Sequence, residues 1–376
     1  MNGLSVPHRR QDRQGAFWGW MDGMVRDLVS RLAQKALELE VAGHLQATWN
    51  QRTPARRGHR NGYRRRQLGT PYGRLEVRIP RCRRGGLDCS ILVDCYQRRL
   101  VDVDRILRHA YLLGVSTRGA AELAEQVFGG QLSHQTVSRL MRWLDEQLTL
   151  WRQRPIEPVY KVVYVDGMHV DVVGGDRMVM LVAGQRDDGQ LDILGFCVST
   201  GEQCRPLLQN LRDRGLEGVE MFVSDESGAI RSALENVYPD VAWQHCTFHR
   251  LQGLRAAVGP TEYRDPMVAE AACIFRCPSK RAAVDAAIAW LRRWRTVNPW
   301  AVQQFTNNLD DSLMFYNLPV DRWRRVRTNN PLERLIRTLR MRLNPMGCFH
   351  DDPAIERAVF GQLARWHRIP QLTHNT

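Results

Sequence analysis

The sequence predicts an α/β domain that follows helical and small β modules and is interrupted by an all-helical stretch. Residues 158–250 alternate between apolar runs of strand period and amphipathic runs of helical period, in the order β-β-β-α-β-α-β. Helical period dominates residues 16–47, 102–145 and 251–343. Turn signals bound two short alternating runs within residues 52–85. This order favours a sheet covered by helices, with separate modules ahead of it.

Length and composition place the chain among globular proteins with a polyanionic partner. Its 376 residues leave room for two or three domains at roughly 100–200 residues each. Hydrophobic residues make up 43% of the chain, which is enough for an ordinary core. A net charge of +14 and a pI of about 9.8 indicate a polyanion, most often nucleic acid. The alternative is a merely soluble basic protein.

The positive charge is concentrated in one segment. Residues 51–100 hold fourteen arginines against the three acids Glu76, Asp88 and Asp94, whereas residues 1–50 hold six bases and five acids. Such a local surplus is typical of a surface that binds phosphates. Arginine outnumbers lysine there, which suits bidentate contacts to phosphate and guanine.

The sequence predicts neither export nor membrane insertion. The N-terminus is polar and basic, and no apolar run approaches the roughly 18 residues of a membrane span. Nine cysteines without regular spacing favour a reducing compartment over a disulfide framework. We therefore expect a cytoplasmic protein with no membrane partner.

Residues 16–47 predict one long amphipathic helix, within a segment 1–50. Its apolar side chains recur at helical spacing and form a broad stripe. The stripe comprises Phe17, Trp20, Met21, Met24, Val25, Leu28, Leu32, Ala36 and Leu39. Two interpretations remain open: a helix packed on its own domain, or an oligomerisation helix.

The basic segment 51–100 predicts a small β-hairpin that binds DNA. Asn61-Gly62 and Pro71-Tyr72-Gly73 are turn signals, and strands are expected over residues 63–69 and 74–80. The alternative is a solvated charged loop. The residues expected to contact DNA are Arg56, Arg57, Arg60, Asn61, Tyr63, Arg64, Arg65, Arg66 and Arg81.

Residues 101–150 predict a pair of helices that resembles a helix-turn-helix. A first helix with Val103, Ile106, Leu107 and Ala110 on one face precedes the pair. Ser116 or Thr117 then caps a helix that runs to about Val127, and Gly129-Gly130 breaks it.

The second helix of this pair begins after Ser133, which can cap it. It presents His134, Gln135, Ser138 and Arg139 on its exposed side. A polar recognition face after a glycine-containing turn is typical of helix-turn-helix proteins, so Gln135, Ser138 and Arg139 are predicted to contact DNA. An ordinary helical hairpin is the alternative.

The α/β segment predicts five strands and two helices. The strands are expected over residues 159–165, 177–182, 191–198, 219–223 and 241–245, and the helices over residues 202–214 and 228–237.

Two acids occupy equivalent places in this segment. Asp166 comes directly after the apolar run Val162–Val165, and Asp225 comes directly after the run that ends at Ser224. A carboxylate at the end of a buried strand is well placed to bind Mg²⁺, which prefers oxygen ligands. The alternative for Asp166 is a plain turn with Gly167.

A third acid, Glu333, lies on a predicted helix over residues 330–343. Asn330 is a candidate cap and Pro331 suits the first helical position. Leu332, Leu335, Leu339 and Leu343 recur on one face. Asn330-x-x-Glu333 also matches a capping box, which is a purely structural explanation for the acid. If the three carboxylates converge, they can hold two divalent metals about 4 Å apart, the arrangement used for polynucleotidyl transfer.

A set of short motifs, in order along most of the chain, resembles the Mutator-like bacterial insertion-sequence transposases, a group of D-D-E transposases. The shared pieces are Arg56–Tyr63 (RRGHRNGY), Gly69-Thr70 with Gly73, Ile79-Pro80-Arg81, Tyr111-x-x-Gly114-x-Ser116, Tyr164-x-Asp166-Gly167, Ser224-Asp225 with Gly228-x-Ile230, Gln244-x-Cys246-x-x-His249-Arg250, and Thr328-Asn329-Asn330-x-x-Glu333 with Arg337 and Arg340.

The resemblance implies an RNase H-like mixed-sheet catalytic domain over residues 156–250 and 326–370, with an all-helical insertion over residues 251–325. It implies Asp166, Asp225 and Glu333 as the metal-binding catalytic acids. It further implies that Cys246 and His249 support the active site.

The same resemblance implies the reaction and its partners. The expected enzyme binds the terminal inverted repeats of an insertion sequence as double-stranded DNA, and cuts and joins strands there and at target DNA. The expected cofactor is a pair of Mg²⁺ ions, with Mn²⁺ able to substitute. A homodimer or larger assembly is expected because two ends must be synapsed, in the bacterial cytoplasm with the nucleoid. On the helix of Glu333, Arg340 is expected near the scissile phosphate and Arg337 on DNA.

Several alternatives remain open at this point. The resembled motif has glycine after the second acid, whereas Glu226-Ser227 follow here, so Asp225 and Glu226 compete as the ligand. Cys246, His249, Cys273 and Cys277 match a passable zinc pattern. One of Trp290, Trp294, Trp300 and Trp323 could stack on a flipped base. The alternative functions are a metal-dependent nuclease without joining activity and a non-enzymatic helix-turn-helix regulator.

Overall fold

The computed structural model describes residues 9–83, 99–129, 132–199 and 204–367. The chain divides into two compact units, Met1–Met141 and Arg142–Thr376, called here the N-terminal and C-terminal units. The predicted segment 101–150 crosses this division. Glycine 130 and residues 202–203 of the predicted elements lie outside the described residues.

The N-terminal unit combines a long helix, a hairpin and three shorter helices. Helix α1 spans Arg9–Leu45, strands β1 and β2 span His59–Thr70 and Gly73–Arg83, and helices α2, α3 and α4 span Val101–Leu112, Thr117–Phe128 and His134–Met141. The predicted long helix and hairpin are confirmed. Leu37 of α1 packs against Leu68 and Val77 of the hairpin, so one face of the sheet is buried by the helix.

The hairpin differs from its prediction at Asn61-Gly62. These residues do not form a turn ahead of the strand, because β1 begins earlier and runs through them. The register of β1 and β2 shifts between Arg60 and Tyr63, and Gly62 has φ of +72°, as in a β-bulge. The reversal occurs at Pro71-Tyr72, as predicted, between Thr70 and Gly73.

The helical pair follows its capping signals. The Ser116 hydroxyl accepts from the Gly119 N–H at 3.0 Å, and Gly129 ends α3 in the left-handed conformation. The Ser133 hydroxyl accepts from the Thr136 N–H at 3.2 Å at the start of α4. In α2, Val103, Leu107 and Ala110 of the predicted apolar face are buried, whereas Ile106, at the edge of that face, is 38% exposed.

The C-terminal unit is built on a five-stranded mixed sheet. Strands β3 to β7 span Val162–Val172, Gly175–Gln185, Leu191–Ser199, Met221–Ser224 and Ala242–His245, in the spatial order β5-β4-β3-β6-β7. The first three strands pair antiparallel, while β3 with β6 and β6 with β7 pair parallel. The predicted strand and helix order is confirmed.

Helices cover both faces of this sheet. Helices α6 (Cys204–Asp213) and α7 (Gly228–Val237) supply Leu208, Leu211 and Leu234 to a core with Val163, Val165 and Phe222. Helices α5 (Trp143–Gln153) and α14 (Asp352–His367) pack on β5, where Trp151 lies 5.7 Å from both the Phe196 and Phe360 ring centroids. Side chains alternate across a strand, so Asp166 faces away from Val163 and Val165.

The remaining chain is helical. Helices α8 to α12 span Thr247–Val258, Arg264–Ile274, Lys280–Trp294, Pro299–Thr306 and Val320–Val326, with 3₁₀ turns at Leu309–Ser312 and Met314–Asn317. Helix α13 spans Asn330–Leu343 and packs on β3, and a 3₁₀ turn at Asn344–Met346 leads towards α14. The predicted apolar face of α13 is corrected in one place, since Ile336 is buried and Leu335 is only partly so. Within the described ranges, no helix combines the length and apolarity needed to cross a membrane.

Candidate active site and basic cleft

The parallel pairing of β3 and β6 brings the chain segments of Asp166 and Asp225 together. The ladder pairs Val162 with Met221 and Tyr164 with Val223, and Asp225 directly follows Ser224, the last residue of β6. The charge of Asp225 acts on the carboxyl group of Asp166, so the two side chains are near each other. The prediction that Asp166 ends its strand is wrong: β3 continues to Val172 because it keeps pairing with β4, and Asp166 lies opposite Leu181.

Asp166 is a buried carboxylate near other negative charge. Its side chain is 7% exposed, and one carboxylate oxygen accepts from the Gly167 N–H at 2.8 Å. Burial raises the pKa of Asp166 to about 7, and the charges of Asp225 and Glu333 add to the rise. The Gly167 N–H and the charge of Arg340 oppose it. Both other predicted acids therefore lie within electrostatic reach of Asp166.

Asn329 connects the two chain segments that carry Asp166 and Glu333. Its side-chain amide donates to the Val165 carbonyl at 3.1 Å, and its backbone N–H donates to Cys246 Sγ at 3.2 Å. The predicted cap at Asn330 is wrong by one residue: Asn330 is the first residue of α13, and Asn329, which precedes the helix, makes no side-chain cap. The Asn329 side chain instead donates to strand β3.

Glu333 does not close a capping box. Helix α13 shows no side-chain hydrogen bond at its N-cap, so the capping explanation for this acid is not supported. Glu333 Oε1 is buried without a hydrogen-bond partner, and His249 Nε2 lies 3.7 Å from it. A buried carboxylate oxygen without a donor is costly unless a ligand satisfies it.

Glu226, the acid that follows Asp225, lies near Arg250 and His245. Glu226 lies 3.8 Å from Arg250 Nη2 and 3.9 Å from His245 Nδ1, and its side chain is 56% exposed. Asp225, by contrast, acts on Asp166 and accepts from the Ser227 N–H at 3.3 Å. The geometry favours Asp225 over Glu226 as the partner of Asp166.

Cys246 and His249 lie next to Glu333. Cys246 is fully buried at the N-terminus of α8, and burial raises its pKa to about 11. One ligand atom each from Cys246, His249 and Glu333 lies within 4.8 Å of the others. Among the described residues, Cys273 and Cys277 do not join this group, so the four-residue zinc pattern is not assembled.

Arg340 and Arg337 are both exposed on α13. Arg340 lines a cavity of about 340 Å³ with Met168 and His169 of β3 and with Asn344, which follows α13. The positive charge of Arg340 opposes the rise in the pKa of Asp166. A cationic side chain at this wall can bind a phosphate beside the acids.

The N-terminal unit contains a basic cleft of about 820 Å³ between the hairpin and α4. No acid occurs among the lining residues that the structure describes. Its cationic lining is Arg64, Arg65, Arg66, Arg74, Arg99 and Arg139. Arg74 and Arg99 were missed by sequence reasoning, although the arginine count of the segment included both. Of the other predicted residues on α4, Gln135 is exposed and Ser138 half-buried.

Other predicted DNA contacts lie outside this lining. Arg56 donates to the carbonyls of Gln51 and Gly58, and Arg60 donates to the Ala47 carbonyl. Both guanidinium groups therefore hold the loop that leads into β1. The exposed positions are Arg57, Asn61, Tyr63 and Arg81.

The four tryptophans separate by exposure. Trp290 and Trp294 are buried, and their indole N–H groups donate to the Met267 carbonyl and to Glu270. Trp323 is half-buried and donates to the Leu318 carbonyl. Trp300 is 62% exposed, so of these four it offers the largest free ring surface.

Comparisons with known proteins agree with one another. The family model described as "Transposase, Mutator family" matches residues 8–368. The chain is 30% identical to the transposase for insertion sequence element ISRM5 of Rhizobium meliloti, over 90% of this chain and 86% of that protein. It is also 30% identical to the IS406 transposase of Burkholderia multivorans (89% and 88% covered) and to the IS1081 transposase of Mycobacterium tuberculosis (92% and 85%).

Among solved structures, the yeast mitochondrial Holliday junction resolvase matches 72% of this chain and 96% of that chain, with a TM-score of 0.13 and 13% identity. A likeness at that score carries no argument. The family match covers nearly the whole chain and includes most of both units. The chain therefore belongs to the Mutator family of transposases.

Proposed function

We propose that this transposase cuts and joins DNA strands at the ends of an insertion sequence, with Asp166, Asp225 and Glu333 as the acids of a D-D-E site. The observation that carries the proposal is the convergence on Asp166. Asp225 directly follows β6, the parallel neighbour of β3, and the charges of Asp225 and Glu333 both act on Asp166, which supports the assignment. The antiparallel and parallel halves of the sheet support the RNase H-like class for residues 156–250 and 326–370.

The donor set fits Mg²⁺. All three side chains offer carboxylate oxygens, and Glu333 Oε1 is buried without a hydrogen-bond donor. Asp166, Asp225 and Glu333 would hold two Mg²⁺ ions, or Mn²⁺ in their place. Bound metal would activate the attacking oxygen and stabilise the leaving oxygen at phosphorus.

The chain's own residues orient the reacting groups. The Gly167 N–H fixes one oxygen of Asp166, and Asn329 fixes the start of α13 against β3. Arg340, at the wall of the adjacent cavity, binds the phosphate that is cut, and Arg337 on the same helix contacts DNA beside it. No side chain acts as a covalent nucleophile, because water and then a DNA 3′-hydroxyl attack phosphorus.

The basic cleft binds the terminal inverted repeats as double-stranded DNA. Five arginines of the cleft, Arg64, Arg65, Arg66, Arg74 and Arg139, supply phosphate contacts, while Arg99 is paired with Asp104. Helix α4 presents Gln135, Ser138 and Arg139 for the bases. The succession of helix α3, the left-handed Gly129 and helix α4 supports a helix-turn-helix role for this pair. Arg57, Asn61, Tyr63 and Arg81 extend the contact surface along the hairpin.

Two copies synapse the two ends through α1. Its exposed face carries Phe17, Trp20, Met24, Leu28, Leu32 and Leu39, each more than half exposed in the single chain. Apolar side chains in such a stripe are stabilised when a second helix covers them.

The test uses a labelled terminal repeat, Mg²⁺ and purified full-length protein, and maps the nicked strands. Asp166→Asn, Asp225→Asn and Glu333→Gln should each lose cleavage while DNA binding stays within twofold. Glu226→Gln is the matched control and should keep cleavage. Retained cleavage in any of the three acid variants removes that residue from the site.

A second assay supplies a precut end and target DNA. Joined product supports transposition chemistry, whereas cleavage without joining would identify a nuclease. If neither the wild type nor any variant cleaves but DNA binding is intact, the result would favour a non-enzymatic helix-turn-helix regulator.

A further inference from the structure

We propose that Cys246, His249 and Glu333 form a second metal site, one that takes a zinc-class transition-metal ion and shares Glu333 with the magnesium site. Its presence follows from ligand chemistry and geometry alone. Its effect on catalysis rests on the proposed function above. The ion is identified by chemistry: a divalent, thiophilic, four-coordinate metal such as Zn²⁺.

The three ligands suit zinc and not magnesium. A sulfur, an imidazole nitrogen and a carboxylate oxygen are the donors that Zn²⁺ uses, often with water in the fourth position. Magnesium prefers oxygen donors and disfavours sulfur. The trio is therefore selective for a different class of ion from the one that three carboxylates take.

The spacing fits an ion between the ligands. His249 Nε2 and Glu333 Oε1 are 3.7 Å apart, too far for a hydrogen bond, and the three ligand atoms lie within 4.8 Å of one another. Two light-atom ligands at about 2.0 Å from one tetrahedral ion lie about 3.3 Å apart. Small side-chain rotations would shorten the 3.7 Å separation of His249 Nε2 and Glu333 Oε1 to that value.

The sulfur of Cys246 accepts a hydrogen bond from the backbone. The Asn329 N–H donates to it at 3.2 Å. Such donors stabilise a metal-bound thiolate and hold it in one orientation. Binding replaces the thiol proton by the metal, so one proton is released for each ion.

The unsatisfied carboxylate oxygen of the cluster supports the same conclusion. Glu333 Oε1 is buried without a hydrogen-bond partner. A buried polar atom without a partner is unusual in a folded protein. An ion bound between this oxygen and His249 Nε2, the ring nitrogen 3.7 Å away, satisfies the carboxylate.

Occupation by zinc excludes the D-D-E arrangement. Glu333 provides one carboxylate, and a zinc ion bound between Cys246 and His249 draws it away from Asp166 and Asp225. The cluster therefore makes the enzyme sensitive to free Zn²⁺ at a fixed Mg²⁺ concentration. Removal of zinc by a chelator restores Glu333 to the acids.

The binding experiment uses full-length protein, stripped of metal, with Zn²⁺ and Co²⁺ as probes. We expect one ion per chain by equilibrium dialysis, and a thiolate-to-Co²⁺ charge-transfer band. Cys246→Ser, His249→Gln and Glu333→Gln should each weaken Zn²⁺ binding by about 100-fold or more, beyond the usual cost of changing an outer-shell residue. Thermal unfolding identifies any variant that fails to fold, and the other two then decide the result.

The matched controls are Cys273→Ser with Cys277→Ser, and Asp166→Asn. Both should retain the ion and the charge-transfer band. Loss of zinc in the double cysteine variant would overturn the proposal in favour of the four-residue pattern. Absence of a thiolate band in the wild type, or zinc binding unchanged in the folded trio variants, would also overturn it.

The catalytic consequence is measured separately. Zn²⁺ added to Mg²⁺-supported cleavage should inhibit with the same midpoint as binding, and EDTA followed by fresh Mg²⁺ should restore activity. Zinc binding without inhibition would show that Glu333 is not shared. If the wild type does not cleave under Mg²⁺ at all, the proposed function fails while the binding result still decides the metal site.

Discussion

The side-chain amide of Asn329 donates to the backbone carbonyl of Val165 at 3.1 Å, which joins the strand of Asp166 to the start of the helix of Glu333. The two acids are far apart in sequence and come from different elements. Asp166 directly follows Val165, and Glu333 follows Asn329 on the first turn of α13. Asn329 is fully buried, so the bond is protected from water.

Asn329→Ala should therefore impair catalysis more than DNA binding. Loss of the amide frees the start of α13, and a misplacement of about 1 Å at the acids costs on the order of 100-fold in rate. Asn330→Ala, at the exposed neighbouring position, is the control and should cleave normally. Single-turnover cleavage and gel-shift titration measure the two effects; equal rates for both variants would contradict this role.

The burial of Asp166 predicts a pH-dependent stability difference. Its pKa is raised from an ordinary 3.8 to about 7, so the folded state holds the proton more tightly than the unfolded chain. The free energy of unfolding contributed by this group is therefore highest below about pH 4 and is lost as the pH rises to about 7.

Asp166→Asn removes this loss of unfolding free energy, because the amide has no proton to release over this pH range. Unfolding by urea in EDTA should show the variant to be more stable than the wild type at pH 8, with a smaller difference at pH 5. A difference that is the same at both pH values would contradict the assignment of the raised pKa to Asp166.

The basic cleft predicts the salt dependence of DNA binding. Arg64→Ala and Arg139→Ala should each weaken binding and reduce the slope of log K against log salt by about 1, the contribution of one phosphate contact. Arg31→Ala on α1 is the control, because Arg31 is exposed, pairs with Asp27 and lies outside the cleft. An unchanged slope in both cleft variants would remove the cleft from the DNA-binding surface.

The stripe on α1 predicts self-association. Leu28→Glu combined with Leu32→Glu should convert the assembly to monomers, because charges replace exposed apolar side chains at the proposed contact. Lys35→Glu, at an exposed polar position of the same helix, should leave the assembly intact. Light scattering after size-exclusion chromatography gives the mass; an unchanged mass for the double variant would place the contact elsewhere.

The exposure of Trp300 predicts a role in handling DNA ends. Trp300→Ala should fold normally and reduce strand cleavage, since loss of one stacked base costs about 1–3 kcal/mol. Trp290→Ala should instead lower the thermal stability, since burial of this ring stabilises the insertion and its loss costs about 3–5 kcal/mol. Full cleavage by soluble Trp300→Ala would exclude the stacking role.

Local sequence patterns predicted most of the fold. Strand order in the α/β segment followed from apolar periodicity, and α7 has its predicted bounds because Gly228 and the residues before Pro239 delimit it. Asp166 was misplaced for a physical reason. Asp-Gly favours a turn locally, but eleven residues of pairing with β4 hold the strand extended through it.

The candidate site was predicted less completely, because its key contacts are long-range. The acids could be predicted from their places after apolar runs and from the family resemblance. The role of Asn329 depends on a bond to Val165, which no local pattern encodes. Likewise, the zinc pattern of the sequence paired Cys246 and His249 with Cys273 and Cys277, whereas the fold brings Glu333 to them instead.

The insertion α8–α12 separates the first two acids from the third along the chain. A message cut short within it would still encode the hairpin, α4, Asp166 and Asp225, but not Glu333. Such a fragment would retain the proposed DNA-binding surfaces and lack the proposed third acid. If both proposals hold, premature termination in this region would yield a protein that competes with the full-length chain for DNA without cutting it.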